Sequence, residues 1–184
     1  MTATQTAIEA IADKGYAIVP GVFDSATVAD ILAQIRKHAT NQANKPIQDT
    51  PRLDAGQQTV YNLQNKDIAC LKLLLENDLI RDVLMHFLND IWHRNIDQQL
   101  PNYILRSFSA RNNIVAAPMH IDSFIPYTGE HTLPMQVAII LEDQNEHNGC
   151  TVVVPGSHQS GKYVSQDQAG HALPLETHAG DVVF

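Results

Sequence analysis

The chain has 184 residues, and its 12 Lys and Arg against 20 Asp and Glu give a formal net charge of −8. This length is enough for one sizeable hydrophobic core and requires no second domain. The acidic balance argues against a nucleic-acid partner, because that binding depends on clustered positive charge. The two cysteines, Cys70 and Cys150, lack metal-ligand spacing, and no segment has the apolar length of a membrane span. We therefore expect a cytoplasmic protein with reduced thiols and no membrane partner.

Helical periodicity dominates the first hundred residues. A first helix is predicted by three apolar residues at helical spacing, Ile8, Ile11 and Ala12, and it ends at Gly15. Residues 16–20 form a β-branched run broken by proline, which predicts a short strand. Asp24 or Ser25 is expected to cap a second helix that ends near Lys37 and His38 and carries the apolar stripe Val28, Ile31, Leu32 and Ile35.

Residues 40–58 are polar and rich in Asn, Gln and Pro, so we expect a loop there. Two further helices are predicted after it, and we expect both to pack against a sheet. The apolar residues of the first are Ile68, Leu71, Leu74 and Leu75, and those of the second are Leu79, Ile80, Val83, Leu84, Phe87, Leu88 and Ile91.

After about residue 101 the pattern changes to short strands separated by turn residues. Strands are predicted over residues 103–108, 135–141, 151–154 and 181–184. Asn148-Gly149 is a strong two-residue hairpin signal, which predicts that strands 135–141 and 151–154 are antiparallel neighbours. Several short strands at this spacing favour a sandwich or a jelly roll.

The segment Met119-His120-Ile121-Asp122 carries the strongest chemical signal. If residues 119–123 are extended, the side chains of His120 and Asp122 point to the same side, and one divalent ion can contact both. One imidazole and one carboxylate are two of the three ligands of a facial triad, the arrangement that holds ferrous iron with positions left open.

Four motifs in this order resemble the phytanoyl-CoA dioxygenase family of Fe(II)- and 2-oxoglutarate-dependent oxygenases. They are His120-x-Asp122, Asn148-Gly149-Cys150, Val154-Pro155-Gly156-Ser157-His158 and Gly180-Asp181. The resemblance implies a mainly β fold with flanking helices, in which a double-stranded β-helix core (jelly roll, cupin-like) has the N-terminal helices packed outside it. It also implies Fe(II), with 2-oxoglutarate and molecular oxygen as co-substrates, and hydroxylation of a small-molecule substrate with succinate and carbon dioxide as co-products.

In the resembling family a second histidine and then an arginine follow the Gly-Asp turn, and residues 1–184 contain neither at that place. The expectation is therefore a single oxygenase-like domain over residues 1–184 that lacks its C-terminal strands, with an unpaired sheet edge and an exposed apolar end at Val182, Val183 and Phe184. His158 is the tempting substitute for the missing ligand. In the family this histidine belongs to a turn, so we expect it to form structural hydrogen bonds instead.

Each of the other candidate residues has an ordinary structural explanation as well as a functional one. Arg106 is the candidate for the 2-oxoglutarate carboxylate, because arginine binds carboxylates through paired hydrogen bonds, and Arg111 is a weaker one. For both arginines the alternative is a solvent-facing charge, and for Asn102 and Gln136, on predicted pocket strands, it is a polar side chain that faces water. Phe124 and Tyr127 either shape the substrate cavity or pack in the core. Four further histidines are expected in solvated loops, namely His131, His147, His171 and His178.

Two alternatives to the oxygenase remain at this point. One is a non-catalytic jelly-roll protein that binds a metal or a small ligand, which the missing distal histidine supports. The other is a cupin that catalyses another reaction, such as isomerisation, although such sites usually have more than one histidine in the first strand motif.

Overall fold

The computed structural model describes residues 1–43, 58–90, 92, 97–112, 118–123, 125–129, 131–163 and 165–184. Helices and small antiparallel sheets are mixed along the chain. The helices are α1 (Ala3–Lys14), α2 (Ser25–Ala43), α3 (Ile68–Leu75), α4 (Asp78–Leu88) and α5 (Gln166–Ala169), with 3₁₀ turns at Leu63–Asn65 and Ser157–Gln159. The strands are β1 (Ile18–Val19), β2 (Gln58–Tyr61), β3 (Ser109–Asn112), β4 (Ala138–Ile139), β5 (Val152–Val153), β6 (Leu173–Pro174) and β7 (Val182–Val183).

The predicted first and second helices are confirmed, and their capping residues explain where they begin and end. Gly15 ends α1 in the left-handed conformation (φ 84°), which glycine adopts without strain. Asp24 caps α2, because its Oδ1 accepts a hydrogen bond of 2.7 Å from the Thr27 N–H. The same hydrogen bond lowers the pKa of the Asp24 carboxyl. Helix α2 continues to Ala43, so the loop prediction is wrong for residues 40–43, and residues 44–57 lie outside the described part.

The third and fourth predicted helices are also confirmed. Asp67 caps α3 through a 2.9 Å hydrogen bond from the Ala69 N–H, and Asn77 caps α4 through one of 3.0 Å from Ile80. Ile80 and Val83 of α4 are completely buried in the main core, against α1 and β7. Ile91, predicted as the last apolar residue of this helix, lies outside the described residues.

Strand β7 is the centre of the largest sheet, with β1 on one side and β4 on the other. Val182 is completely buried, and Val183 and Phe184 are less than a tenth exposed. The Phe184 N–H also donates to the Ala17 carbonyl at 2.9 Å. The expectation of an unpaired edge and an exposed apolar end at residues 182–184 is therefore wrong, because the first strand of the chain covers the side that the prediction left open.

The predicted hairpin at Asn148-Gly149 is also wrong: β4 pairs with β7, and β5 pairs with β6. The type I′ turn that Asn-Gly favours needs positive φ at both turn residues, but here Gly149 has it (φ 90°) and Asn148 does not. The Asn148 side chain instead closes a longer turn, accepting from the Asn145 N–H at 2.7 Å and donating to the Asp143 carbonyl at 2.9 Å. This turn leads β4 and β5 into different sheets.

The strand predicted over residues 103–108 lies further along the chain, at Ser109–Asn112. It pairs with β2, in which Tyr61 is opposite Ser109. Strand β2 ends at Tyr61 and is followed by the 3₁₀ helix at Leu63–Asn65. Strand β2 therefore does not extend far enough to pair with residues 103–108. Ile104 in this segment is 89% exposed. The predicted strands 135–141, 151–154 and 181–184 are present but shorter, as β4, β5 and β7.

The turn before β7 is held by the carboxylate of Asp181, which is 5% exposed. Its Oδ1 accepts from the Gly21 N–H at 2.9 Å, and its Oδ2 accepts from the His178 N–H at 2.8 Å. At Gly180 (φ 98°) a Cβ atom would collide with the Phe23 carbonyl oxygen, a backbone atom that cannot move aside cheaply. The Gly180-Asp181 pair thus joins β7 to the connection between β1 and α2.

A second core cluster lies between α2, β2 and α3, and Cys70 is at its centre. Ile31, Val60, Leu63 and Cys70 are all buried there. Burial raises the pKa of the Cys70 thiol from 9.0 to about 11, with smaller contributions from Asp67 and Asp30. Both cysteines are free and buried.

Among the described residues, no helix combines the length and the apolar character needed to cross a membrane.

We expect Asp181→Ala to lower the free energy of unfolding by about 2–4 kcal/mol, because two N–H groups lose their acceptor at a buried position. Urea denaturation followed by circular dichroism measures this loss. Asp143→Ala is the matched control: its carboxylate accepts one exposed N–H, that of Ala179. The control should cost less than about 1 kcal/mol, and equal losses in the two variants would contradict the role given to Asp181.

We expect Cys70 to resist alkylation in the native protein at pH 8, because the buried thiol stays protonated and inaccessible. Its raised pKa also means that stability present below pH 9 is lost as the pH rises from 9 towards 11, since the unfolded thiol ionises first. Iodoacetamide labelling read by mass spectrometry tests the first point, and unfolding curves at pH 8 to 10.5 test the second. Cys70→Ser should reduce the loss of stability at high pH, whereas Cys150→Ser should leave that loss unchanged. Fast labelling of Cys70 in the native protein would contradict a buried, protonated thiol.

Candidate functional site

The side chains of His120 and Asp122 come together, as the sequence predicted. The His120 Nε2 and Asp122 Oδ1 atoms are 3.3 Å apart, and the side chains are 59% and 58% exposed. Residues 119–123 form bends and turns instead of the extended strand on which the prediction rested. The two donor atoms therefore converge through a local turn, on a surface that solvent and small molecules can reach.

A backbone hydrogen bond fixes which nitrogen of His120 is available. The His120 Nδ1 atom lies 2.8 Å from the Pro118 carbonyl oxygen. A carbonyl can only accept, so Nδ1 carries the proton and donates, which leaves the lone pair of the neutral ring on Nε2. This is the arrangement that orients metal-binding histidines in many proteins. The Pro118 carbonyl was not predicted from the sequence, because every residue carries a backbone carbonyl and only the course of the chain selects one.

The donor pair fits a divalent transition metal. Nitrogen and oxygen donors about 2.1 Å from such an ion, at a right angle to each other, are about 3 Å apart. The observed 3.3 Å between Nε2 and Oδ1 is close to that separation. Within the described residues, no group of three or more His, Cys, Asp or Glu side chains is placed to hold a metal. Among the described residues, His120 and Asp122 are therefore two candidate ligands brought together.

His158 has the structural role that the sequence predicted. It lies in the turn at residues 155–160, which covers the C-terminal end of α1. Its Nε2 lies 3.3 Å from the Ala12 carbonyl, to which Gln159 also donates at 3.1 Å, and the Gly156 N–H donates to the Lys14 carbonyl at 2.8 Å. These are carbonyls that the helix itself leaves without a partner. The His158 ring also packs on Gly15, where any side chain would collide with it.

The two arginines are not brought to the His120–Asp122 pair by any described contact. Arg106 is exposed on the extended segment before β3, and it takes part in an interaction with the rest of the chain. Arg111 is exposed on β3, opposite Thr59. The role of Arg106 in binding 2-oxoglutarate stays a prediction.

The two polar candidates have different outcomes, because Asn102 is half-buried and hydrogen-bonded and does not face solvent as its alternative interpretation predicted. Asn102 joins the segment after α4 to the next one: its side chain accepts from the Asp90 N–H at 2.7 Å and donates to the Asp90 carbonyl at 3.0 Å. Gln136 is exposed. The four remaining histidines are exposed as predicted, namely His131, His147, His171 and His178.

The aromatic candidates have separate outcomes. Tyr127 is 44% exposed and its ring lies against Gly129, so it is not a core residue. Phe124 lies outside the described residues.

Comparison with solved structures finds the same fold in several metal-dependent enzymes. SnoK, a non-heme α-ketoglutarate-dependent carbocyclase from nogalamycin biosynthesis, has a TM-score of 0.64 and 18% identity over 100% of this chain and 75% of its own. The α-ketoglutarate-dependent epimerase SnoN, from the same biosynthesis, has a TM-score of 0.58 and 18% identity over 98% and 72%. HygX from Streptomyces hygroscopicus, solved with nickel, 2-oxoglutarate and hygromycin B bound, has a TM-score of 0.58 and 14% identity over 100% and 76%. At these identities the similarity shows the fold alone.

A comparison with curated proteins finds no match. A model of the phytanoyl-CoA dioxygenase family, in contrast, matches residues 11–184, which is nearly the whole chain. The match confirms the resemblance that the four motifs indicated, and it includes the turns whose contacts hold β7 and the end of α1. This chain belongs to the phytanoyl-CoA dioxygenase family.

Proposed function

We propose that this protein is an Fe(II)- and 2-oxoglutarate-dependent oxygenase that hydroxylates a small organic molecule. The observation that carries the proposal is the His120–Asp122 pair, two donor atoms 3.3 Å apart on an accessible surface, in a chain of the phytanoyl-CoA dioxygenase family. The cofactor assignment is supported by similar structures that hold iron, or nickel with 2-oxoglutarate. We also propose that the three small sheets are parts of a double-stranded β-helix.

The residues of the pair act by binding and orientation. His120 offers a neutral imidazole through Nε2, because the Pro118 carbonyl holds the proton on Nδ1. Asp122 adds one carboxylate, so the pair neutralises half of the charge of a divalent ion and leaves it attractive to an anionic co-substrate. Bound iron would supply oxygen activation, with 2-oxoglutarate consumed to succinate and carbon dioxide. Neither side chain is required as a general acid or base.

Arg106 is the proposed partner of the far carboxylate of 2-oxoglutarate. A guanidinium binds a carboxylate through two parallel hydrogen bonds, and Arg106 lies on an exposed segment where a soluble co-substrate can reach it. Arg111, exposed on β3, supplies a matched comparison.

Asp122 favours hydroxylation over halogenation. In the family a halide takes the place of the carboxylate where a small residue replaces it, and here the carboxylate is present beside His120. Similar structures include a carbocyclase and an epimerase, so the outcome of the reaction depends on the substrate and its position as well as on the metal ligands.

A second candidate is a protein that binds a metal or a ligand without turnover. The specific observation in its favour is that the described residues bring only two metal donors together. The two functions differ in whether succinate is formed.

Metal binding separates the roles of the histidines. We expect His120→Ala and Asp122→Ala to weaken Ni(II) binding by about tenfold or more in calorimetric titration, because each variant removes one of two donors. His158→Ala should keep the affinity for Ni(II) and lose about 1 kcal/mol of unfolding free energy, since it removes a hydrogen bond at the end of α1. Weaker binding in His158→Ala, with His120→Ala unaffected, would reverse the assignment.

Turnover tests the oxygenase itself. With Fe(II), 2-oxoglutarate and oxygen, we expect the wild-type protein to form succinate, and His120→Ala and Asp122→Ala to reduce its rate about a hundredfold or more, as measured by mass spectrometry. Arg106→Ala should raise the 2-oxoglutarate concentration needed for half-maximal rate about tenfold, because a charge-assisted contact is lost. Arg111→Ala should not. Metal binding without succinate in the wild type would favour the second candidate.

A further inference from the structure

The segment that follows the His120–Asp122 pair exposes three large apolar side chains within nine residues, 125–133. Ile125 is 54% exposed, Tyr127 is 44% exposed and Leu133 is 52% exposed. Single exposed apolar residues are ordinary on protein surfaces. A group of them in one short loop is less ordinary, and exposed apolar patches commonly mark binding sites.

The position of this loop is fixed at its beginning, immediately after Asp122. The Ser123 hydroxyl donates to the Ile125 carbonyl at 2.6 Å, which turns the chain just beyond the pair. Tyr127 follows Asp122 by five positions, a span of at most about 18 Å even in a fully extended chain. Tyr127 therefore belongs to the same local segment as the pair.

Two glycines make room for two successive side chains of the loop. The Tyr127 ring lies on Gly129, in the space that a Cβ atom would occupy. The next side chain, Thr128, lies against Gly161, where a Cβ atom would be 2.9 Å from the Thr128 Cγ2 atom. The loop thus contacts Gly161, which directly follows the turn at residues 155–160, and the Tyr127 ring is held against Gly129.

We propose that Tyr127 contacts the substrate at the mouth of the site, and that this substrate presents a ring or another apolar face to it. The proposal rests on the proposed function, since it places the ligand beside His120 and Asp122. An aromatic ring with an exposed face and a terminal hydroxyl suits a ligand that is apolar on one side and polar at its edge. Gly129 and Gly161 are positioning residues for this contact, because they act through Tyr127 and Thr128.

The contact is tested with a neutral aromatic probe, N-phenyl-1-naphthylamine, whose fluorescence rises on binding. We expect Tyr127→Ala to weaken its binding about threefold to tenfold and Tyr127→Phe to keep it, because the ring face makes the contact. Leu75→Ala is the matched control, since Leu75 is a 64% exposed apolar residue on α3. Equal binding by Tyr127→Ala and the wild type overturns the proposal, and so does a Tyr127→Ala effect on oligomeric state alone.

The contact between Thr128 and Gly161 is tested by comparing substitutions at two glycines. Gly161 and Gly21 have nearly the same backbone conformation (φ 60° and 62°), but a Cβ at Gly21 would meet nothing within 4 Å. We expect Gly161→Ala to weaken probe binding several-fold and Gly21→Ala to leave it unchanged. Adding Thr128→Ser to Gly161→Ala removes the methyl group in the way and should restore binding. Equal effects of the two glycine variants, or no restoration, overturn the positioning role.

Failure of this proposal is distinguishable from failure of the proposed function. With Co(II) bound, the proton resonances of the bound probe should broaden relative to the protein loaded with diamagnetic Zn(II), because the probe lies close to the pair. Bound Co(II) without broadening overturns the proposal and leaves the metal site intact. If no metal binds, the proposed function fails, while the comparison of Tyr127→Ala with Tyr127→Phe still decides whether the ring is a binding surface.

Discussion

The hydrogen bonds on both sides of β7 are the constraint on which the rest of the structure depends. This strand is two residues long, and an isolated pairing of that length contributes little stability by itself. It is held because the Asp181 carboxylate binds Gly21 from one direction and His178 from the other, while Val182 is completely buried. The N-terminal strand and the last strand of the chain are thereby joined into one core with α1 and α4.

The residues that resemble the family fall into two physical classes. His120 and Asp122 are exposed and form few contacts with the fold, which agrees with the proposed chemical role of the pair. Gly156, His158, Gly180 and Asp181 instead complete hydrogen bonds of buried or terminal backbone groups. A motif residue is thus not automatically a site residue, and its hydrogen-bond partners decide between the two roles.

The sequence predicted the helices well, because their signals are local. Apolar spacing and capping residues such as Asp24 and Gly15 act within a few residues of one another. Strand pairing was predicted poorly, because it depends on partners far away along the chain. The signal at Asn148-Gly149 competed with hydrogen bonds from Asp143 and Asn145, and the covering of β7 by β1 joins residues more than 160 positions apart. For the site, the pairing of His120 with Asp122 was predictable, whereas the orienting Pro118 carbonyl required coordinates.

One turn connects the scaffold with the site. Residues 155–161 accept the end of α1 at their beginning, through Gly156 and His158, and at their end Gly161 receives Thr128 of the loop beyond Asp122. A displacement of α1 therefore reaches this loop through packed contacts and not through a flexible linker. Because both contacts rely on the absence of a glycine side chain, at Gly15 and at Gly161, the loop has little freedom to relax without disturbing the helix. The turn at residues 155–161 thus links the segment after Asp122 to the exposed C-terminal end of α1 by direct contacts, and no burial of His120 or Asp122 is involved.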